Sequence, residues 1–284
     1  MVLHTIFKFL LIAILVSGCS SVLYFPTFHE HVDRAKMPIK PEDIQFQSED
    51  GTSLHGWYFK SLLKPEETSN CTILFFHGNA QNLSTHFFTL YSAPSQGYDY
   101  FIFDYRGYGR SEGKPTPAGT VADGRAAIKW LHERDPKRKI VVFGQSLGGI
   151  IALKSAIDMK EKAPIQFVVV DSTFSSYKAV GRKVLSRSWI TWLFQPLGWL
   201  LLGDKEAPER HLDKLPPIPL LVIHGDQDPV IDYSLGERLF ERASEPKEFW
   251  RVPGGRHTDF MWSAKGEFAK KFYDRLDQAC ASGS

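Results

Sequence analysis

The stretch Lys139-Ile-Val-Val-Phe-Gly-Gln-Ser-Leu-Gly-Gly-Ile-Ile-Ala-Leu153 decides how this chain folds. Ile140 to Phe143 is apolar and β-branched and reads as a buried strand. It breaks at Gly144-Gln145-Ser146-Leu147-Gly148, and better helix formers take over from Gly149 onward. Strand, Gly-x-Ser-x-Gly and helix in that order is the setting in which a serine is presented on a strained turn. Positions two before and two after such a serine crowd each other, so side chains must vanish there. The helix that follows aims free N–H groups and the positive end of its dipole at any negative charge that develops beside Ser146.

Outward from this stretch, buried-looking strands alternate with amphipathic helices. Strands are expected at 72–76, 100–103, 140–143, 167–170, 220–223 and 247–252, and helices at 83–96, 118–133, 147–160, 233–243 and 262–278. Such alternation predicts a parallel sheet wrapped by helices. Ahead of it, residues 43–48 and 53–59 flank Asp50-Gly51 and read as a hairpin. A leading hairpin and an elbow serine after a middle strand resemble the α/β-hydrolase fold over nearly everything beyond residue 43. That fold is a mostly parallel central sheet flanked by helices, with a small helical cap insertion. Here the insertion would be residues about 174–216, whose segments 189–194 and 197–202 are the greasiest of the mature chain. As a cap they would line an acyl pocket or touch a membrane surface; as core they would be ordinary.

A serine hydroxyl is a poor nucleophile until a base takes its proton and a carboxylate orients that base. Within the resemblance, the acid and then the histidine follow the serine in chain order. Asp226, Asp228 and Asp232 compete in the loop after the strand at 220–223, and Asp232 reads as the cap of the next helix. The Gly-x-x-Asp spacing of similar hydrolases selects Asp228. After the last strand, Gly254-Gly255 lets the loop fold back and offers His257, whereas His77, His211 and His224 stand in the wrong segments for the base. An oxyanion hole needs two backbone N–H groups, expected from Leu147 and from Asn79, with His77 bracing the loop that carries Asn79.

With His77-Gly78-Asn79-Ala80, Asp104-Tyr105-Arg106-Gly107-Tyr108-Gly109 and His224-Gly225-Asp226-Gln227-Asp228, the chain looks like the BEM46-like branch of α/β-hydrolases. Arg256, between the glycines and His257, departs from that branch. The resemblance implies a serine hydrolase of carboxylic esters or thioesters, acting on a small-molecule or lipid acyl ester. A serine peptidase of the same fold, or a non-enzymatic surface lipoprotein that kept the fold, are the competing readings.

The N-terminus reads as a processing segment. Lys8 precedes an apolar run over 9–16 that is short for a bilayer span, and Leu15-Val16-Ser17-Gly18-Cys19 resembles a bacterial lipobox. Residues 1–18 would then be a signal peptide, Cys19 the lipidated mature N-terminus, and 19–42 an extended lead-in to a domain over 43–284. Ser20, where a retention signal would place Asp, points to the outer membrane of a Gram-negative cell. An uncleaved anchor helix is the alternative.

Composition narrows the rest. At 284 residues and 43% hydrophobic the chain can build one sizeable core, and a net charge of +2 without basic blocks argues against nucleic acid. Three cysteines form no zinc spacing, and Cys71 and Cys280 could pair only if the fold joins them. No metal and no cofactor is expected, since neither a His/Cys cluster nor a phosphate-binding glycine loop occurs. Oligomeric state is not legible.

Overall fold

A computed structural model describes residues 24–186 and 203–281. Cys19, the processing segment and both greasy segments of the insertion lie outside the described residues.

The strands are β1 (Phe25–Pro26), β2 (Glu42–Gln47), β3 (Ser53–Phe59), β4 (Cys71–Phe76), β5 (Ala80–Gln81), β6 (Asp99–Phe103), β7 (Lys139–Gln145), β8 (Ile165–Asp171), β9 (Leu220–Gly225) and β10 (Lys247–Val252). The helices are α1 (Leu83–His86), α2 (Pro117–Arg134), α3 (Leu147–Met159), α4 (Tyr177–Ser186), α5 (Tyr233–Arg242) and α6 (Glu267–Ala281). Eight strands form one sheet in the order β10-β9-β8-β7-β4-β6-β3-β2. Only the pairings of β3, with β2 and with β6, are antiparallel. Gly51 takes the left-handed turn of the β2–β3 hairpin at φ +83°, where a side chain would be strained.

Alternation along the strands divides the core in two. Leu74, Phe76, Ile140 and Val142 face the layer of α2, α3 and α5. Ile73, Phe75, Val141 and Phe143 face the layer of α1 and α6. Fully buried Phe272 and Leu276 of α6 complete the second layer. Both faces of β4 and β7 are therefore dry, which is why these strands read as unbroken apolar runs.

Two helices differ from expectation. The helix expected over 83–96 is α1 followed by 3₁₀ turns at Phe87–Leu90 and Ala93–Gln96. Pro94 and the left-handed Gly97 (φ +87°) stop it from continuing. The helix expected from 262 begins at Glu267, because Ala264 and Lys265 are left-handed in the turn before it. The described flanks of the insertion, including Phe174, Tyr177, Val180, Leu212 and Leu215, are buried in the main core.

Residues from Tyr24 onward pack against the body. β1 pairs in parallel with β5, and Thr27 N–H donates to the Gln81 carbonyl at 3.0 Å. At the other end, Cys280 of α6 is disulfide-bonded to Cys71 at the start of β4, with Cα atoms 6.1 Å apart. The bond closes a loop across a sequence separation of 209. On a chain-entropy account, a loop of that size withholds roughly 5 kcal/mol of freedom from the unfolded chain. Cys71→Ser/Cys280→Ser is therefore expected to unfold at clearly lower urea concentration than the oxidised parent. Matching midpoints would show that the bond contributes nothing.

Candidate active site

The elbow is built by exclusion. Ser146 stands at φ +54° between β7 and α3, and its N–H donates to the Asp171 carbonyl at 2.9 Å. A Cβ on Gly144 would sit 2.6 Å from the Gly149 Cα, and one on Gly148 would collide with the Phe76 and His77 carbonyl oxygens. Thr173 Oγ donates to the Ser146 carbonyl at 2.6 Å and fills the space a side chain at Gly149 would need.

The structure brings Ser146, His257 and Asp228 together from three loops. His257 Nε2 lies 3.1 Å from Ser146 Oγ, and His257 Nδ1 lies 2.7 Å from Asp228 Oδ2. A carboxylate only accepts, so the proton sits on Nδ1 and Nε2 is left to accept from the serine hydroxyl. Asp228 Oδ1 accepts the Val230 and Ile231 N–H groups at 2.8 and 2.9 Å. Burial works to raise this carboxyl, but the hydrogen bonds from His224 and His257 and the His257 charge hold it well below the usual carboxylate range. Asp228 is thus an anion and a fixed acceptor.

The competing residues have other work. Asp232 caps α5 through Ser234 N–H, and Asp226 accepts from Arg251 and from the Gly254 N–H at 2.7 Å, tying the two loops together. Buried His224 Nε2 lies 3.4 Å from Asp228 Oδ2, the oxygen that also meets His257, and its Nε2–H donates to the Ile231 carbonyl at 3.0 Å. Arg256 is exposed, and its backbone N–H donates to Asp259 Oδ2 at 3.0 Å. Arg106 grips Asp123 and Asp50 and holds the glycine-rich turn after β6.

The loop after β4 lies over the serine: a Cβ at Gly78 would be 3.7 Å from the Ser146 Cβ. Each of its carbonyls is tied. Tyr105 OH donates to His77 O (3.0 Å), His77 Nδ1–H to Gly78 O (2.8 Å) and His86 Nε2–H to Ala80 O (2.8 Å). Asn79 O accepts twice, from Tyr108 OH (2.8 Å) and from the Phe25 N–H (2.9 Å). Among the described residues, the Asn79 and Leu147 N–H groups have no backbone acceptor outside helix and strand. Fixed peptide planes with free donors beside a serine can stabilise an oxyanion without reorganising.

Comparison with known proteins agrees with this architecture. A family model of the alpha/beta hydrolase fold matches residues 72–185. YfhR of Escherichia coli K12 is 35% identical over 233 residues, covering 81% of this chain and 78% of its own. The chain belongs to the α/β-hydrolases. The hydrolase domain-containing protein WAV2 of Arabidopsis thaliana is 29% identical over 274 residues, covering 90% of this chain and 86% of its own. Among solved structures, the Pyrococcus furiosus esterase Pf2001 superposes with TM-score 0.67 at 20% identity, over 90% of this chain and 97% of the esterase.

One part of this hydrolase's site has no counterpart in the sequence reading. Asp171 ends β8, and its buried carboxylate accepts Gln145 Nε2–H and Ser172 Oγ–H, each at 3.0 Å. Ser172 Oγ in turn accepts the Thr258 N–H at 3.0 Å, next to His257. Ser146, Ser172 and Thr258, joined through Asp171, are three of the six non-glycine residues with positive φ among the described residues. Strain is thus gathered around one point. The signal was a charged residue at the C-terminal end of a buried strand, where such sheets place their sites.

Burial pushes the Asp171 carboxyl up to about 6, against the hydrogen bond from Gln145 and the His257 charge. Between the ordinary 3.8 and about 6, the folded chain keeps a proton that the unfolded chain has released. Stability from this group therefore falls as pH rises through that window. Asp171→Asn removes the titration, so unfolding free energies at pH 4 and pH 7.5 are expected to shift in the variant's favour by up to ~3 kcal/mol. Parallel curves for parent and variant would contradict the assignment.

Proposed function

We propose that this protein is a serine hydrolase of carboxylic esters or thioesters, tethered to a bacterial membrane through Cys19. The observation that carries the reading is the bonded series Asp228–His257–Ser146, ending on a serine beneath a loop whose carbonyls are all tied back. Ser146 Oγ attacks the acyl carbon while His257 Nε2 takes its proton, and Asp228 holds the tautomer and stabilises the imidazolium. The Leu147 and Asn79 N–H groups receive the carbonyl oxygen as it becomes negative. His257 then returns the proton to the leaving alkoxide or thiolate, and activates the water that frees the acid from the acyl-enzyme. No part of this scheme calls on a metal or cofactor. Ester chemistry is favoured because the similar structure Pf2001 is an esterase.

The membrane part of the proposal rests on the lipobox-like Leu15-Val16-Ser17-Gly18-Cys19. On this reading the protein belongs to the envelope, at the outer membrane of a Gram-negative cell. The Cys71–Cys280 bond supports a compartment outside the cytosol, since disulfides persist in oxidising surroundings. No helix of the described residues is long and apolar enough to cross a membrane.

Hydrolysis of p-nitrophenyl esters of graded chain length tests the reading. Ser146→Ala is expected to lower the rate by ~10³-fold or more. Asp228→Asn, which keeps the shape but lets Nδ1 lose its fixed acceptor, is expected to fall by about 10³–10⁴-fold. Equal rates in parent and variants would remove the proposal. The preferred chain length measures the acyl pocket.

A further inference from the structure

Four of the seven large exposed apolar residues among those described are tied to loops at one edge of the sheet. Val230 follows the acid on the loop after β9, and its N–H donates to Asp228 Oδ1. Trp262 lies five positions past His257, after β10. Phe25 donates its N–H to the carbonyl of Asn79, and Phe28 lines a shallow recess with Asn82 and Ser84. Each stands on, or is bonded to, a loop that follows the C-terminal end of a parallel strand, the edge on which Ser146 opens. Phe28 is 72% and Trp262 59% exposed, far more than packing alone requires. Of the other three, Leu62 and Leu63 follow the antiparallel β3 and lie at the opposite edge, with Leu62 N–H donating to the Pro94 carbonyl, and Phe88 packs on Phe87 and Tyr91 along the flank of the sheet.

The tether selects what covers the first group. From Cys19 to Tyr24 is five residues, at most about 18 Å of extended chain. Tyr24 is buried, and Phe25–Pro26 is hydrogen-bonded to the loop over Ser146. An acyl anchor at Cys19 therefore cannot hold the body by its far edge, which is a full strand length away. It holds it by the rim of the site. We infer that this rim docks on the bilayer that carries the anchor, with Phe25, Phe28, Val230 and Trp262 seated in the headgroup and upper acyl region. The inference rests on the anchored-hydrolase reading and adds to it: the mouth opens toward the lipid, so the substrate class is an acyl ester resident in that bilayer. Exposed charge along these loops is mixed, with Arg256 and Lys265 flanking Trp262 in sequence and Glu30 and Arg110 lining the recess that Phe28 lines. Apolar contact, rather than net charge, provides the docking. Rings partly sunk by about 5–10 Å fit the depth of an interfacial element.

The test uses the full-length chain, purified in detergent and reconstituted into phosphatidylethanolamine/phosphatidylglycerol vesicles. With Cys71 and Cys280 bonded and Cys19 acylated, an introduced cysteine is the one thiol open to a nitrobenzoxadiazole probe. Phe28→Cys, Trp262→Cys and Leu62→Cys are labelled in turn. Probes at 28 and 262 are expected to shift to the blue and to be quenched by brominated phospholipid, while the probe at 62 reports water. Water-like emission at 28 and 262, or quenching at 62 instead, would overturn the docking, and protection at 28 and 262 in native envelopes but not in pure lipid would assign the rim to a protein partner. Mass spectrometry showing an unmodified Cys19 would remove the tether and overturn it as well. The probes need no turnover. A protein that docks but cleaves no ester therefore refutes the hydrolase alone, and one that cleaves but does not dock refutes the docking alone.

Discussion

The rest of the site depends on how closely three pieces of backbone meet at Ser146. β7 ends, α3 begins and the loop after β4 passes overhead within van der Waals reach, because Gly144, Gly148 and Gly149 carry no side chains. The approach holds the serine at φ +54° and sets Leu147 N–H at the helix start. It also sets the distance to the loop bearing Asn79. A left-handed serine costs of order 1–3 kcal/mol, and it persists only because the sheet and α3 over-determine it. Both faces of β4 and β7 are buried, so the two strands that deliver these loops cannot shift to relieve the strain.

Electrostatics then divides the carboxylates around the histidine. Asp171 ends β8 and Asp228 stands on the loop after the adjacent β9; both are buried, yet they are displaced in opposite directions from the ordinary value. Asp228 accepts from His257, His224 and two backbone N–H groups, enough to offset its burial. Asp171 accepts from a neutral amide and a hydroxyl, which do not offset it. One carboxylate is therefore built to stay charged against the imidazole. The other is a hydrogen-bonding strut between Gln145, Ser172 and the backbone beside His257.

How much could be read from the chain follows from range. Ser146 is announced locally, because strand, glycines and helix are neighbours in sequence, and the parallel sheet follows from the alternation around it. Asp228 and His257 stand at the C-terminal ends of β9 and β10, so chain order alone locates them once the fold is recognised. Asp171 gave no motif: its role comes from Gln145 and Ser172 turning toward it across β7 and β8. The pairing of Cys71 with Cys280 and the grip of Phe25 on Asn79 join residues far apart in sequence, and no local pattern records either. The break after His86 was missed because the apolar spacing over 83–96 continues through Pro94, where the backbone cannot.

The central claim is that Ser146 is an activated nucleophile, and a fluorophosphonate probe reads this most directly. It reacts irreversibly with a serine whose proton is being removed, and peptide mass spectrometry locates the adduct. The account expects one adduct, on Ser146, formed rapidly by the parent and far more slowly by His257→Ala. An adduct at another serine, or equal labelling of parent and His257→Ala, would contradict it.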